Sequence, residues 1–209
     1  MSLKLTKYLQ LVRRKAAEFE SIDINGKQDE GKFGKYVLKA AFGCISLLLF
    51  FFLQTGFSPA FVAYCASSLA ILVGLFITAL VFGFDKFYQQ TSEKEYADAK
   101  SKLWDTQAYN YVKQFGYITG YTIVQSIFAL LLLSLSALFE KQSQINVFEL
   151  RYFNSWSVEV FSPLLLLGVA CLFSAQRVVV IYLLLRITYQ TLFIVASMVQ
   201  FMTTKISRN

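Results

Sequence analysis

Histidine is absent from this chain of 209 residues, charged residues make up only 16% of it, and proline occurs twice. Without an imidazole there can be no Ser-His-Asp or Cys-His arrangement and no H-E-x-x-H helix. The three cysteines, Cys44, Cys65 and Cys171, stand apart inside apolar runs with no C-x-x-C spacing. That predicts small packing residues rather than metal ligands or a redox pair. The ten glycines are dispersed, and Gly31 and Gly34 follow no strand, so no phosphate-cradling loop is expected. No Asp or Glu falls deep in any long apolar run, which removes the carboxylates that intramembrane aspartyl chemistry or a proton-coupled transporter would need. The expectation is a non-enzymatic protein with no cofactor and no metal.

What charge there is collects in a few short stretches, while 56% of the residues are hydrophobic and Phe alone occurs 21 times. A soluble surface cannot be built from that composition, and clustered charge between long uncharged runs is the pattern of a chain that crosses a bilayer repeatedly. The net charge of +7 could suggest nucleic acid. The basic residues, however, sit beside apolar runs, where they would meet anionic headgroups and fix orientation, so no direct nucleic-acid binding is expected. The first apolar run begins near Val37 and is too long for the h-region of a signal peptide, so its helix is expected to stay in the mature protein.

Six segments follow. Residues 1–36 form an arm, with Leu5, Tyr8, Leu9, Val12, Ala16 and Phe19 on one face of a helix and Lys4, Lys7, Arg13, Arg14 and Lys15 around it. Such a helix can lie on the membrane surface or dock on the protein's own cytosolic portion. Residues 37–84 read as a transmembrane hairpin, because the uncharged run from Ala40 to Phe84 is far too long for one crossing and Ser58-Pro59 supplies a cap and a first-turn proline. Residues 85–113 are a polar helical connector opened by a capping box, Ser92-x-x-Glu95. A third span occupies 114–139, and the poorly basic loop 140–159 faces outward by the positive-inside rule. Residues 160–209 hold the last span and a cytosolic tail. Here one long protruding helix, a half-inserted segment before a true span, and two full spans compete; charge favours four crossings over five. The fold class is therefore an all-α polytopic bundle with a cytosolic amphipathic helix, in a bacterial inner membrane.

Three features could carry function. Ala66, Ala70, Gly74 and Thr78 recur every four residues, a small-residue ladder for helix packing within the chain or between protomers, and Gly116 and Gly120 give a weaker version. Arg186, Gln190, Ser197, Gln200 and Thr204 share one sector of the last helix, opposite Leu184, Leu192, Val195 and Met202. That stripe predicts either polar groups paired inside the bundle or the lining of a pore. Gln54 and Gln125 would hydrogen-bond between helices. The function expected is a homo-oligomeric anchor or sensor subunit for a cytosolic protein partner, in a bacterial envelope or phage-defence complex. An oligomeric ion-leak pore along the Arg186 stripe and a conjugation or secretion-system component are the alternatives.

Overall fold

A computed structural model describes residues 2–20, 32–53, 56–90, 99–143 and 163–206. Among these, all regular structure is helical: α1 (Ser2–Phe19), α2 (Lys32–Phe52), α3 (Pro59–Gln90), α4 (Ala99–Leu138), α5 (Glu140–Ser143) and α6 (Pro163–Ile206). Pro59–Gly83, Tyr109–Leu138 and Gly168–Val199 are long and apolar enough to cross a membrane, and Tyr36–Phe52 is a shorter apolar helix. The protein is thus an all-helical, multi-pass membrane protein by the length and composition of its helices.

The entry into α3 follows the local chemistry of its sequence. The Phe61 amide donates to Ser58 Oγ at 3.2 Å, and the Val62 amide to the Ser58 carbonyl at 3.0 Å. Ser58 is the N-cap and Pro59 occupies the first helical position, where its missing N–H has no partner to lose. Replacing Ser58 by alanine is expected to lower stability by about 1 kcal/mol, read as a shift in the denaturation midpoint of the detergent-solubilised protein.

Other boundaries differ from the sequence expectation. α2 begins at Lys32, ahead of the start of the expected hairpin at 37, and ends at Phe52. α3 passes Asp85 without interruption and ends at Gln90. The connector helix and the third span are one helix of 40 residues, and the last region is one unbroken helix of 44 residues. At 1.5 Å per residue these are about 60 and 66 Å long, twice what a bilayer of about 30 Å requires. The single long helix is therefore the form taken by 163–206; a break at Arg177 does not occur. The capping box at Ser92, the loop 144–159 and Gln54 lie outside the described residues.

Two compact units partition the chain. In the first (1–36, 72–125 and 187–209), Phe76, Ile118 and Ile194 form a buried cluster against Phe19, Leu72, Phe115, Ile123 and Phe193. Four elements, α1, α3, α4 and α6, thus meet in one core. In the second (37–71 and 126–186), Phe57, Val62 and Leu69 are buried from α3 and its approach, Ala129 and Leu133 from α4, and Phe173, Val180 and Ile181 from α6. Phe139 and Phe173 bring their rings to 6.2 Å.

The surface is that of a lipid-solvated protein. Leu48, Phe52, Ile71, Leu75, Val81 and Phe82 are all more than half exposed. Water would penalise such a continuous apolar exterior, whereas hydrocarbon does not. Only 11% of the Pro59–Gly83 window is buried, against 33% for the windows in α4 and α6, so α3 is a peripheral helix that keeps most of its surface for lipid or a partner.

Candidate functional site

In a bilayer-spanning chain the informative groups are the polar ones that are buried, because hydrocarbon offers them no partner. α4 and α6 supply nearly all of them. Gln114, Thr119, Thr122, Gln125, Ser126 and Ser136 are buried on α4, and Gln176, Arg177 and Gln190 on α6. The helix faces that meet the core carry amides, hydroxyls and one guanidinium among their aliphatic side chains.

In the first unit these groups hold the end of the arm. The one hydroxyl proton of Thr122 is shared between two acceptors, the Ile118 carbonyl at 2.8 Å and Gln190 Oε1 at 3.1 Å. Gln190 Nε2 in turn donates to Glu20 Oε1 at 2.9 Å. About two turns earlier on α4, Gln114 Nε2 donates to the Phe19 carbonyl at 3.0 Å. That carbonyl belongs to the last residue of α1, where helical acceptors have no intrahelical donor, so the amide caps the helix. The Phe19 ring stacks on Tyr117 at 5.5 Å with an interplanar angle of 9°, and Ala16 is fully buried. Three contacts, from Gln114 and Tyr117 of α4 and Gln190 of α6, therefore latch the C-terminal end of α1. The arm docks on its own protein there. Leu5 and Tyr8, on the same apolar face of α1, remain 63% and 64% exposed.

In the second unit the polar groups pair between α6 and the end of α4. Gln176 Nε2 donates to Ser136 Oγ at 2.9 Å and to the Leu132 carbonyl. Arg177 Nη2 donates to the Ser143 carbonyl at the end of α5. Ser143 Oγ donates to the Glu140 carbonyl at 2.9 Å, closing that short turn. Thr119 Oγ1 and Gln125 Oε1 of the first unit and Ser126 Oγ of the second are buried and make no hydrogen bond among the described residues. Gln125 thus lies inside the protein as the sequence suggests, without the interhelical bond expected of its carbonyl oxygen.

The residues singled out from sequence are dispersed. Of the α6 stripe, Gln190 is fully buried and bonded within the chain, while Arg186 and Ser197 are half-buried. Ser197 Oγ returns its proton to the Phe193 carbonyl at 2.7 Å. The side chains of Gln200 and Thr204 lie outside the described residues. Leu192 and Val195, across the helix, are exposed at 65% and 52%, so α6 does have a polar inner and an apolar outer side. In the small-residue ladder Ala66 is half-buried, whereas Ala70, Gly74 and Thr78 are exposed, and a Cβ built on Gly74 would meet nothing within 4 Å. Packing of that ladder within the chain is not what the structure shows; α3 turns Val62, Leu69 and Phe76 inward instead. Gly116 and Gly120 are half-buried on α4, with open space around Gly120. Of the basic arm residues Lys4, Lys7, Arg13 and Arg14 are exposed, and Lys15 pairs with Glu18 at 2.9 Å.

Sequence reasoning missed Glu20, Gln114, Gln176 and Arg177. A signal existed for two of them, Gln114 and Gln176. Gln114, Gln125 and Ser136 recur at 11-residue intervals, and Gln176 and Gln190 stand 14 residues apart, each spacing close to a whole number of helical turns. Among the described residues no group of His, Cys, Asp or Glu could hold a metal ion. No family model, curated protein or solved structure matches the chain, so its function has to be read from these residues themselves.

Proposed function

We propose that this protein is a non-enzymatic subunit of a bacterial inner membrane that couples a cytosolic partner to its own transmembrane helices. The observation that carries the reading is the latch: Phe19 and Glu20, at the C-terminal end of α1, are bonded to Gln114 and Gln190, which belong to the two most buried apolar helices. A segment tied only by a flexible linker could hold a partner but would transmit nothing. Here a pull on α1 acts on side chains that also bond α4 to α6 through Thr122. The arm and residues 85–113 provide the partner's surface, and the nine Lys and Arg of residues 1–39 keep the arm cytosolic during insertion. The exposed small-residue ladder of α3 supports assembly with further copies of the chain, since small faces let helices approach closely. A pore lined by the Arg186 stripe is less well supported, because Gln190 at its centre is already bonded to Thr122 and Glu20.

Deleting residues 1–19 is the test. The shortened protein is expected to reach the membrane at the level of the intact chain but to lose its crosslinked cytosolic protein, compared by quantitative mass spectrometry after crosslinking in intact cells. Retention of every crosslinked protein would remove the arm from the mechanism.

A further inference from the structure

The apolar face of α1 is longer than the protein that covers it. At 100° per residue, Leu5, Tyr8, Leu9, Val12, Ala16 and Phe19 fall within a sector of about 100°. Ala16 is fully buried, and Val12 and Phe19 are half-buried, but Leu5, Tyr8 and Leu9 are 63%, 64% and 39% exposed. Something other than the chain's own described core has to cover the N-terminal half of that stripe.

Charge and position identify the occupant. Arg13 flanks the stripe on one side, and Lys4 and Lys15 flank it on the other. Glu20 takes the Gln190 amide, and Glu18 pairs with Lys15 across an exposed surface, a bond that opens when Lys15 takes a phosphate. The uncovered part is thus an apolar strip edged by cations alone, whose long stems let the charged heads reach phosphate while the strip is immersed. The level of the docked end agrees. The uncharged run of α4 ends at Glu140, and counting about 30 Å back along the helix, some 20 residues, reaches Gly120. Gln114 and Tyr117, which hold Phe19, lie just beyond that boundary, at the depth of the headgroups.

We propose that the N-terminal half of α1 is a binding surface for anionic phospholipid, with Leu5, Tyr8 and Leu9 in the boundary between headgroups and acyl chains and Lys4, Arg13 and Lys15 on lipid phosphates. The inference goes beyond the coupling function and leaves the opposite side of α1, Lys7, Gln10 and Arg14, for a cytosolic protein. The arm then reads the charge of the leaflet as well as the state of its partner.

The experiment is amide hydrogen exchange of the full-length protein in nanodiscs holding one chain each. One set is made of phosphatidylcholine alone, the other of equal parts phosphatidylcholine and phosphatidylglycerol. Amides of residues 5–12 are expected to exchange at least about tenfold more slowly in the anionic discs, given three cations at the surface. The combined variant Lys4→Gln, Arg13→Gln and Lys15→Gln is expected to abolish the difference. Equal rates in the two lipids, or slowing that requires a second chain per disc or added cytosolic protein, would overturn the proposal. Equal rates in the two lipids for the wild-type chain, with crosslinking to the cytosolic partner intact, would sink this inference alone and leave the coupling function standing.

Discussion

Replacement of Arg177 by alanine is expected to lower the stability of the detergent-solubilised protein by about 3 kcal/mol. The side chain is 4% exposed, and its Nη2 donates to the carbonyl of Ser143, the last residue of α5. Carbonyls at a helix end have no intrahelical donor, and a cation beside them also complements the negative end of the helix. Alanine withdraws the donor, leaves an empty volume where the guanidinium and its stem were packed, and frees α5 from α6. Lysine keeps the charge but presents a point donor on a flexible stem, so it should restore only part of the loss. A denaturation series monitored by helical circular dichroism would check the order, wild type above lysine above alanine. An alanine variant within about 0.5 kcal/mol of wild type would show that the contact is incidental.

How much of this architecture the sequence reveals depends on whether the deciding physics is local. The start of α3 is legible because Ser58 caps a helix whose first residue is proline, and both effects act within one turn. The all-helical, multi-pass class is legible because hydrocarbon tolerates no unpaired backbone and little charge, although three helices are long enough to span and the first of the four expected, Tyr36–Phe52, is shorter. Helix ends in polar segments are not, because charge marks where lipid ends and not where helix ends. Asp85 leaves the hydrocarbon while α3 continues to Gln90, and the stretch from Ala99 to Lys113 contains neither glycine nor proline to stop α4 before it enters the bilayer. Arg177 places a charge inside the last apolar region, yet arginine is a good helix former and the helix passes through it.

The site was less legible than the fold. Formal charge drew attention to Arg186, but the face of α6 that turns inward is marked by the amides of Gln176 and Gln190, and that of α4 by Gln114 and Gln125. A buried amide resembles its exposed counterpart in any composition count; only its period along the helix separates them. Glu20 leaves no such trace. It follows the last turn of a helix that is polar on most of its circumference, and its contact with Gln190 joins residues 170 positions apart. Nothing near it in sequence records that the arm folds back onto α6.

Replacing Gln190 by leucine should therefore release the arm while leaving the bundle nearly intact. The two ends of the amide differ in what they lose. Thr122 keeps its bond to the Ile118 carbonyl at 2.8 Å, so the α4 side stays satisfied. Glu20 loses the donor to its Oε1, and a carboxylate left beside a leucine side chain is driven toward water, taking the end of α1 with it. A hydrogen bond to a charged group contributes about 1.5–3 kcal/mol, which corresponds to exchange of the α1 amides about 10–100 times faster than in the wild type. The denaturation midpoint of the bundle should move little, because leucine fills a volume close to that of glutamine. Glu20→Leu should produce the same acceleration, and adding it to Gln190→Leu should add almost nothing, as expected when two residues act through one bond. Full additivity of the two changes, or unchanged exchange in α1 with either, would mean that the arm is held by Gln114 and the Phe19–Tyr117 stack alone, and that Gln190 transmits nothing between the arm and α6.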